Sequence, residues 1–136
     1  MSREIEEQNL KTIQALFAAT GSGDWPAAEA MLTDDFFVTE APGNPFAGVY
    51  RGRSALQKLF TEVVGAAGVT KMDVKQLTAG GDLVIAIVEM TLGGPPERSV
   101  SLAEMFRIRN DKVCEIKPHY FDSAPLASAV AGKKRA

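Results

Sequence analysis

After Gly65 the chain passes through four strand-like segments joined by turns of a few residues, and this constrains the fold more than any other feature. The segments are 70–78, 82–92, 99–109 and 113–122, and the joints are Gly80-Gly81, Gly93-Gly94-Pro95-Pro96 and Asn110-Asp111. A parallel crossover needs a dozen residues or more, so joints this short turn each strand back beside the one before it. The product is an antiparallel meander, and one of its faces needs a cover.

The first half of the chain supplies that cover. Leu10, Ile13, Leu16 and Phe17 recur at helical spacing between Ile5 and about Thr20, and Gly21-Ser22-Gly23 ends the run. Asp24 has the chemistry to cap a second helix with Trp25-Pro26 in its first turn, and Trp25, Ala28 and Leu32 share a face. Phe36–Glu40 reads as a strand, the next five residues as a Pro/Gly loop, and Gly48–Gly52 as a short extended piece. Ser54-Ala55-Leu56-Gln57 is a capping-box pattern that opens a third helix, with Leu56, Leu59, Phe60, Val63 and Val64 as its apolar face. The expected class is α+β, with helices packed on a mostly antiparallel sheet. At 136 residues the chain is one domain's length, expected over 1–126 with 127–136 as a flexible tail.

A net charge of −2 gives no reason to expect nucleic acid or an anionic membrane as partner. The one basic run, Lys133-Lys134-Arg135, lies in the expected tail. Cys114 is alone, so no intrachain disulfide can form, and one histidine among scattered acids gives no metal-ligand spacing. No stretch of 18 apolar residues and no apolar leader is present, so a cytoplasmic protein that does not span a membrane is expected.

Strand parity carries the functional information. Val100, Leu102, Glu104, Phe106 and Ile108 fall on one face of their strand, so an acid sits in the middle of a core row. Phe36, Val38 and Glu40 repeat the pattern on the first strand. A carboxyl forced inward must be paired, hydrogen-bonded or protonated. Glu104 could pair with Arg51 or Arg53 as a structural ion pair, and Glu40 could turn to water beside its loop. If both face one apolar interior, their raised pKa values would suit a general base and a hydrogen-bond-donating acid. Glu89 lies on a strand apolar on both faces and reads as structural. On the last strand, alternation puts Tyr120 inside and His119 outside, unless a bulge at Pro118 reverses the parity. Asp122 is either a turn cap or a residue at the pocket mouth. Tyr50 carries a hydroxyl that needs a partner if buried. Phe17, Trp25 and Phe106 have core spacing and are the aromatic candidates for a pocket wall. No nucleophile constellation or phosphate-cradling glycine loop appears, and no cofactor is expected.

Gly23-Asp24-Trp25, Leu32-Thr33-Asp34-Asp35-Phe36, Gly52-Arg53, Glu104-Met105-Phe106-Arg107-Ile108, Lys112-Val113 and Tyr120-Phe121-Asp122 stand in an order that resembles the SnoaL-like, nuclear-transport-factor-two-like superfamily. The resemblance runs from about Leu10 to Leu126. It implies a cone-shaped α+β barrel, three helices on a strongly curved sheet around a deep pocket for a small hydrophobic molecule, often paired as a homodimer through the outer sheet face. Set against the ketosteroid isomerases of that superfamily, Glu40 falls on the catalytic base and Glu104 on a protonated acid of the oxyanion hole. Tyr120 falls on an aromatic lining the pocket, and Leu16 stands where those enzymes carry a tyrosine. The epoxide hydrolases would need a tyrosine at Val38 and an asparagine at Glu40. A polyketide cyclase would use an acid/base pair for which His119 and Asp122 are the nearest residues. The implied activity is cofactor-free isomerisation or cyclisation of a hydrophobic carbonyl compound, with Glu40 and Glu104 catalytic. The rival expectations are a ligand binder without chemistry and a dimeric interaction protein.

Overall fold

In a computed structural model, which describes residues 2–135, the apolar stripe of the first segment forms α1 (Ser2–Ser22). Ile13 and Leu16 are its buried centre. Asp24 caps α2 (Trp25–Ala30) by accepting the Ala27 N–H at 3.2 Å, with proline in the first turn as the sequence suggests. The first strand, β1 (Leu32–Glu40), starts four residues earlier than its pattern implied, because Leu32 is fully buried in the sheet rather than on the α2 face.

β2 (Gly48–Arg51) returns antiparallel along β1, and α3 (Ala55–Ala67) then crosses the concave face. Ser54 does sit at the N-cap of α3, but in a helical conformation that makes no side-chain cap bond, so the expected capping box does not form. A capping hydroxyl reaches the following N–H groups from extended backbone. The meander follows as β3 (Val69–Gly80), β4 (Leu83–Leu92), β5 (Arg98–Arg109) and β6 (Lys112–Tyr120). Asn110 and Asp111, at φ 52° and 65°, make the tight β5–β6 turn in the left-handed region that a two-residue hairpin requires.

The six strands form one sheet in the order β2-β1-β6-β5-β4-β3. All neighbours are antiparallel except β1 and β6, which run parallel with Leu32 opposite Val113 and Val38 opposite Ile116. Register shifts interrupt the pairing in β1, in β3 and at Arg107/Ile108, irregularities of the kind that bend and twist a strand. α1 packs on β3 and β4, and α3 on β1, β2 and β3. Phe36, Val38, Val84, Val88, Val100 and Val113 fill the concave side.

The chain beyond Leu126 is not the free tail its composition suggested. As far as Arg135 it is helix α4 (Ala124–Arg135), which lies against α3 and β5 and buries Leu126, Ala129 and Val130. Lys133 is in its exposed last turn, and residue 136 lies outside the described residues. No helix among the described residues is long and apolar enough to cross a membrane.

Candidate active site

Regular pairing across three strands brings the acids together. Ala86, Glu104 and Pro118 stand abreast on β4, β5 and β6, and Val88, Leu102 and Tyr120 form the next row. Both rows face the concave side. On β1 the buried alternation Phe36, Val38, Glu40 runs toward the same end. Glu40 and Glu104 therefore line one hollow with Val38, Leu59, Val63, Met90, Leu102, Pro118 and Tyr120. A second lobe adjoins it, sharing Leu56, Phe60, Met72 and Glu104, and is walled by Leu16, Phe17, Thr20, Phe106 and Ile116.

The two lobes are small, about 80 Å³ and about 60 Å³. A water needs roughly 10–15 Å³ of such space, so the hollow fits a compact organic molecule rather than one needing several hundred Å³. Wider recesses lie elsewhere, against α1 and at the β5–β6 turn, but they are surface grooves that touch neither acid.

Burial pushes the Glu104 carboxyl up to about 7, and the charge of Glu40 adds to the rise. Its Oε1 has no exposed surface and no hydrogen-bond partner among the described residues. The structural ion pairs considered for it do not form. Arg53 bonds Asp34 at 3.0 Å, and the Arg51 guanidinium lies 5.8 Å from the centre of the Phe37 ring. Leaving such an oxygen unmatched disfavours the native state by about 1–3 kcal/mol. Glu40, only 4% exposed, is also pushed up to about 7, by burial working against the nearby Tyr120 hydroxyl, which pulls it down. Burial and then the charges of Glu40 and Glu104 raise the Tyr120 hydroxyl far above its ordinary range, so it stays a donor. The charge of Glu40 thus favours the protonated form of Glu104.

Of the other sequence candidates, Phe17 and Phe106 do line the hollow, stacked edge-on at 5.6 Å between centroids. Trp25 stands one layer back, 5.3 Å from the Phe60 ring. Tyr50 spends its hydroxyl on the Phe46 carbonyl and braces the loop after β1 rather than lining a lobe. His119 does not enter the hollow. The register through Pro118 is unbroken, so His119 stays on the outer face, abreast of Ala103 and Ile87. Asp122 is exposed and accepts the Ala124 N–H at 3.0 Å at the start of α4, the turn-capping alternative. Neither His119 nor Asp122 therefore lines the hollow that holds the two acids.

Asn44 carries no signal in the sequence pattern. It is 6% exposed, and its Nδ2 donates to Glu40 Oε1 at 3.1 Å while its Oδ1 accepts the Phe46 N–H at 2.8 Å. Loops have no periodicity to show where a side chain points. The available clue was asparagine's habit of bonding backbone two residues ahead in a turn. Met72, on β3, is another omission; it is 37% exposed and lines both lobes.

No group of three or more metal-binding side chains occurs among the described residues. A family model described as a SnoaL-like domain matches residues 13–116. Among solved structures, Bal32a from a soil-derived mobile gene cassette is 25% identical, with 87% of this chain and 92% of that one covered at a TM-score of 0.78. An NTF2-like protein from Burkholderia xenovorans LB400 is 23% identical, covering 92% and 97% at 0.76. TerC, co-crystallised with polyporic acid, is 13% identical, covering 91% and 98% at 0.79. No curated protein matches the sequence.

Proposed function

Because this chain belongs to the SnoaL-like domain family and has the NTF2-like α+β fold, we propose that it is a cofactor-free acid/base enzyme acting on a small hydrophobic carbonyl compound. The observation that carries this reading is the pair of inward carboxyls, Glu40 and Glu104, both raised to about 7 in one apolar hollow. Ionised, Glu40 takes a proton from the carbon next to the carbonyl. The C–H electron pair moves into a carbon–carbon double bond, and the carbonyl oxygen becomes an enolate. Protonated Glu104 donates a hydrogen bond to that oxygen, and the apolar walls keep water from competing. Return of the proton to another carbon completes an isomerisation; attack of the enolate carbon on a second carbonyl would complete a cyclisation. Neither route changes oxidation state.

Exchange of protons for deuterium next to the carbonyl of small cyclic and aryl ketones, followed by NMR in heavy water, tests the proposal. The wild type should accelerate exchange. Glu40→Gln should slow it by about 10²-fold or more without loss of melting temperature. Exchange by Glu40→Gln at the wild-type rate ends the acid/base reading. A second reading, a binder without chemistry, is favoured by Leu16, which puts an apolar side chain on the wall of the second lobe where the isomerases carry a tyrosine. Ketones that raise the melting temperature and undergo no exchange would select it. That TerC was co-crystallised with polyporic acid supports an organic molecule as ligand on either reading. We also propose that two copies pair through the outer sheet face.

A further inference from the structure

We propose, resting on the acid/base reading of the two carboxyls, that Asn44 is a positioning residue that, beside Tyr120, biases which acid gives up its proton, favouring Glu40 as the carboxylate and the proton on Glu104. The amide's orientation is fixed by its other end. The Phe46 N–H can only donate, so the atom it meets at 2.8 Å must be the Asn44 oxygen. The nitrogen is thereby turned to Glu40 Oε1, 3.1 Å away. An N–H donor stabilises a carboxylate and has little to offer a protonated carboxyl.

The loop is braced so that the donor cannot swing away. Asn44 N–H bonds the Ala41 carbonyl, the Ala47 N–H bonds the Asn44 carbonyl, and the Tyr50 hydroxyl bonds the Phe46 carbonyl. Glu104 has no comparable support, since its Oε1 has no hydrogen-bond partner among the described residues. Among the ionisable groups around Glu40, the Tyr120 hydroxyl pulls in the same direction as the Asn44 amide. Tyr120 from β6 is a neutral donor, Glu104 from β5 competes for the same proton, and Tyr50 from β2 is committed to Phe46. From α3, the side chains that reach the hollow are Leu56, Leu59, Phe60 and Val63, while Glu62 is exposed and acts on Tyr50.

The test is a site-resolved titration of the full-length protein, with carbon-13 in the glutamate side chains and carboxyl signals followed by NMR. In the wild type, Glu40 should ionise at the lower midpoint and Glu104 at the higher. Asn44→Asp retains the acceptor for the Phe46 N–H and replaces the donor facing Glu40 with an acceptor. It should raise the Glu40 midpoint by about one unit and by more than that of Glu104, so that the order closes up or reverses. Asn44→Ala should move both midpoints the same way by less. The wild-type order needs no variant to fold, and Glu104 ionising first would overturn the assignment by itself. So would unchanged midpoints in a folded Asn44→Asp. Because no substrate is present, loss of the exchange activity leaves this outcome standing, and an altered titration says nothing of turnover.

Discussion

A carboxyl whose folded pKa lies above its unfolded one holds its proton more tightly in the native state, and through Glu104 this makes stability depend on acidity. Below pH 4.5 the group is protonated in both states, and its contribution is fully present. Between 4.5 and about 7 the unfolded chain has released the proton that the native state keeps, so stability falls as pH rises; above about 7 the loss is complete. For Glu104 alone the loss reaches at most about 3 kcal/mol. Glu40 acts in the same direction. Urea unfolding at pH 4.5 and pH 8 should show the wild type losing stability on the alkaline side and Glu104→Gln losing clearly less. An equal loss in the variant would mean that the Glu104 carboxyl is not held neutral. At this scale the sequence is legible where the backbone is regular. Period-two alternation by itself turns Glu40 and Glu104 inward, and the unbroken register at Pro118 leaves His119 outside. Asn44 is illegible because its direction is set by a loop's own hydrogen bonds.

Among the elements, β3 to β6 lie close to where their patterns placed them, because glycines and the Asn110-Asp111 turn mark their ends. α4 is hidden in the sequence although Leu126, Ala129 and Val130 are spaced for one helical face. Its remaining residues are mostly small, and the basic run at its end resembles a solvated tail. The helix is nonetheless anchored. Leu126 is fully buried between α3 and β5, so Leu126→Ala should cost about 2–5 kcal/mol in urea unfolding. A cost under about 1 kcal/mol would mean that α4 does not dock in solution. β1 shows the complementary limit. Its early start at Leu32 is concealed because Leu32 fits the apolar face of α2 equally well, and only pairing with Val113 decides between them.

For the whole molecule, the convex side of the sheet presents Ile85, Ile87, Ala103 and Met105 in adjoining rows, with Ile87 45% exposed. Sedimentation equilibrium should find a homodimer that Ile87→Lys converts to a folded monomer; a monomeric wild type at tens of micromolar would exclude pairing through this face. The parallel seam between β1 and β6 has a different consequence, one of order in time. Leu32 waits for Val113, and Val38 waits for Ile116, which the ribosome supplies much later. A nascent chain released only as far as Leu92 already carries Glu40 but neither Glu104 nor Tyr120, and Phe36 and Val38 lie bare on an unzipped strand. The chamber is therefore closed by the last strand to be synthesised, and until then that edge is open to any chaperone, or any neighbouring chain, that will cover it.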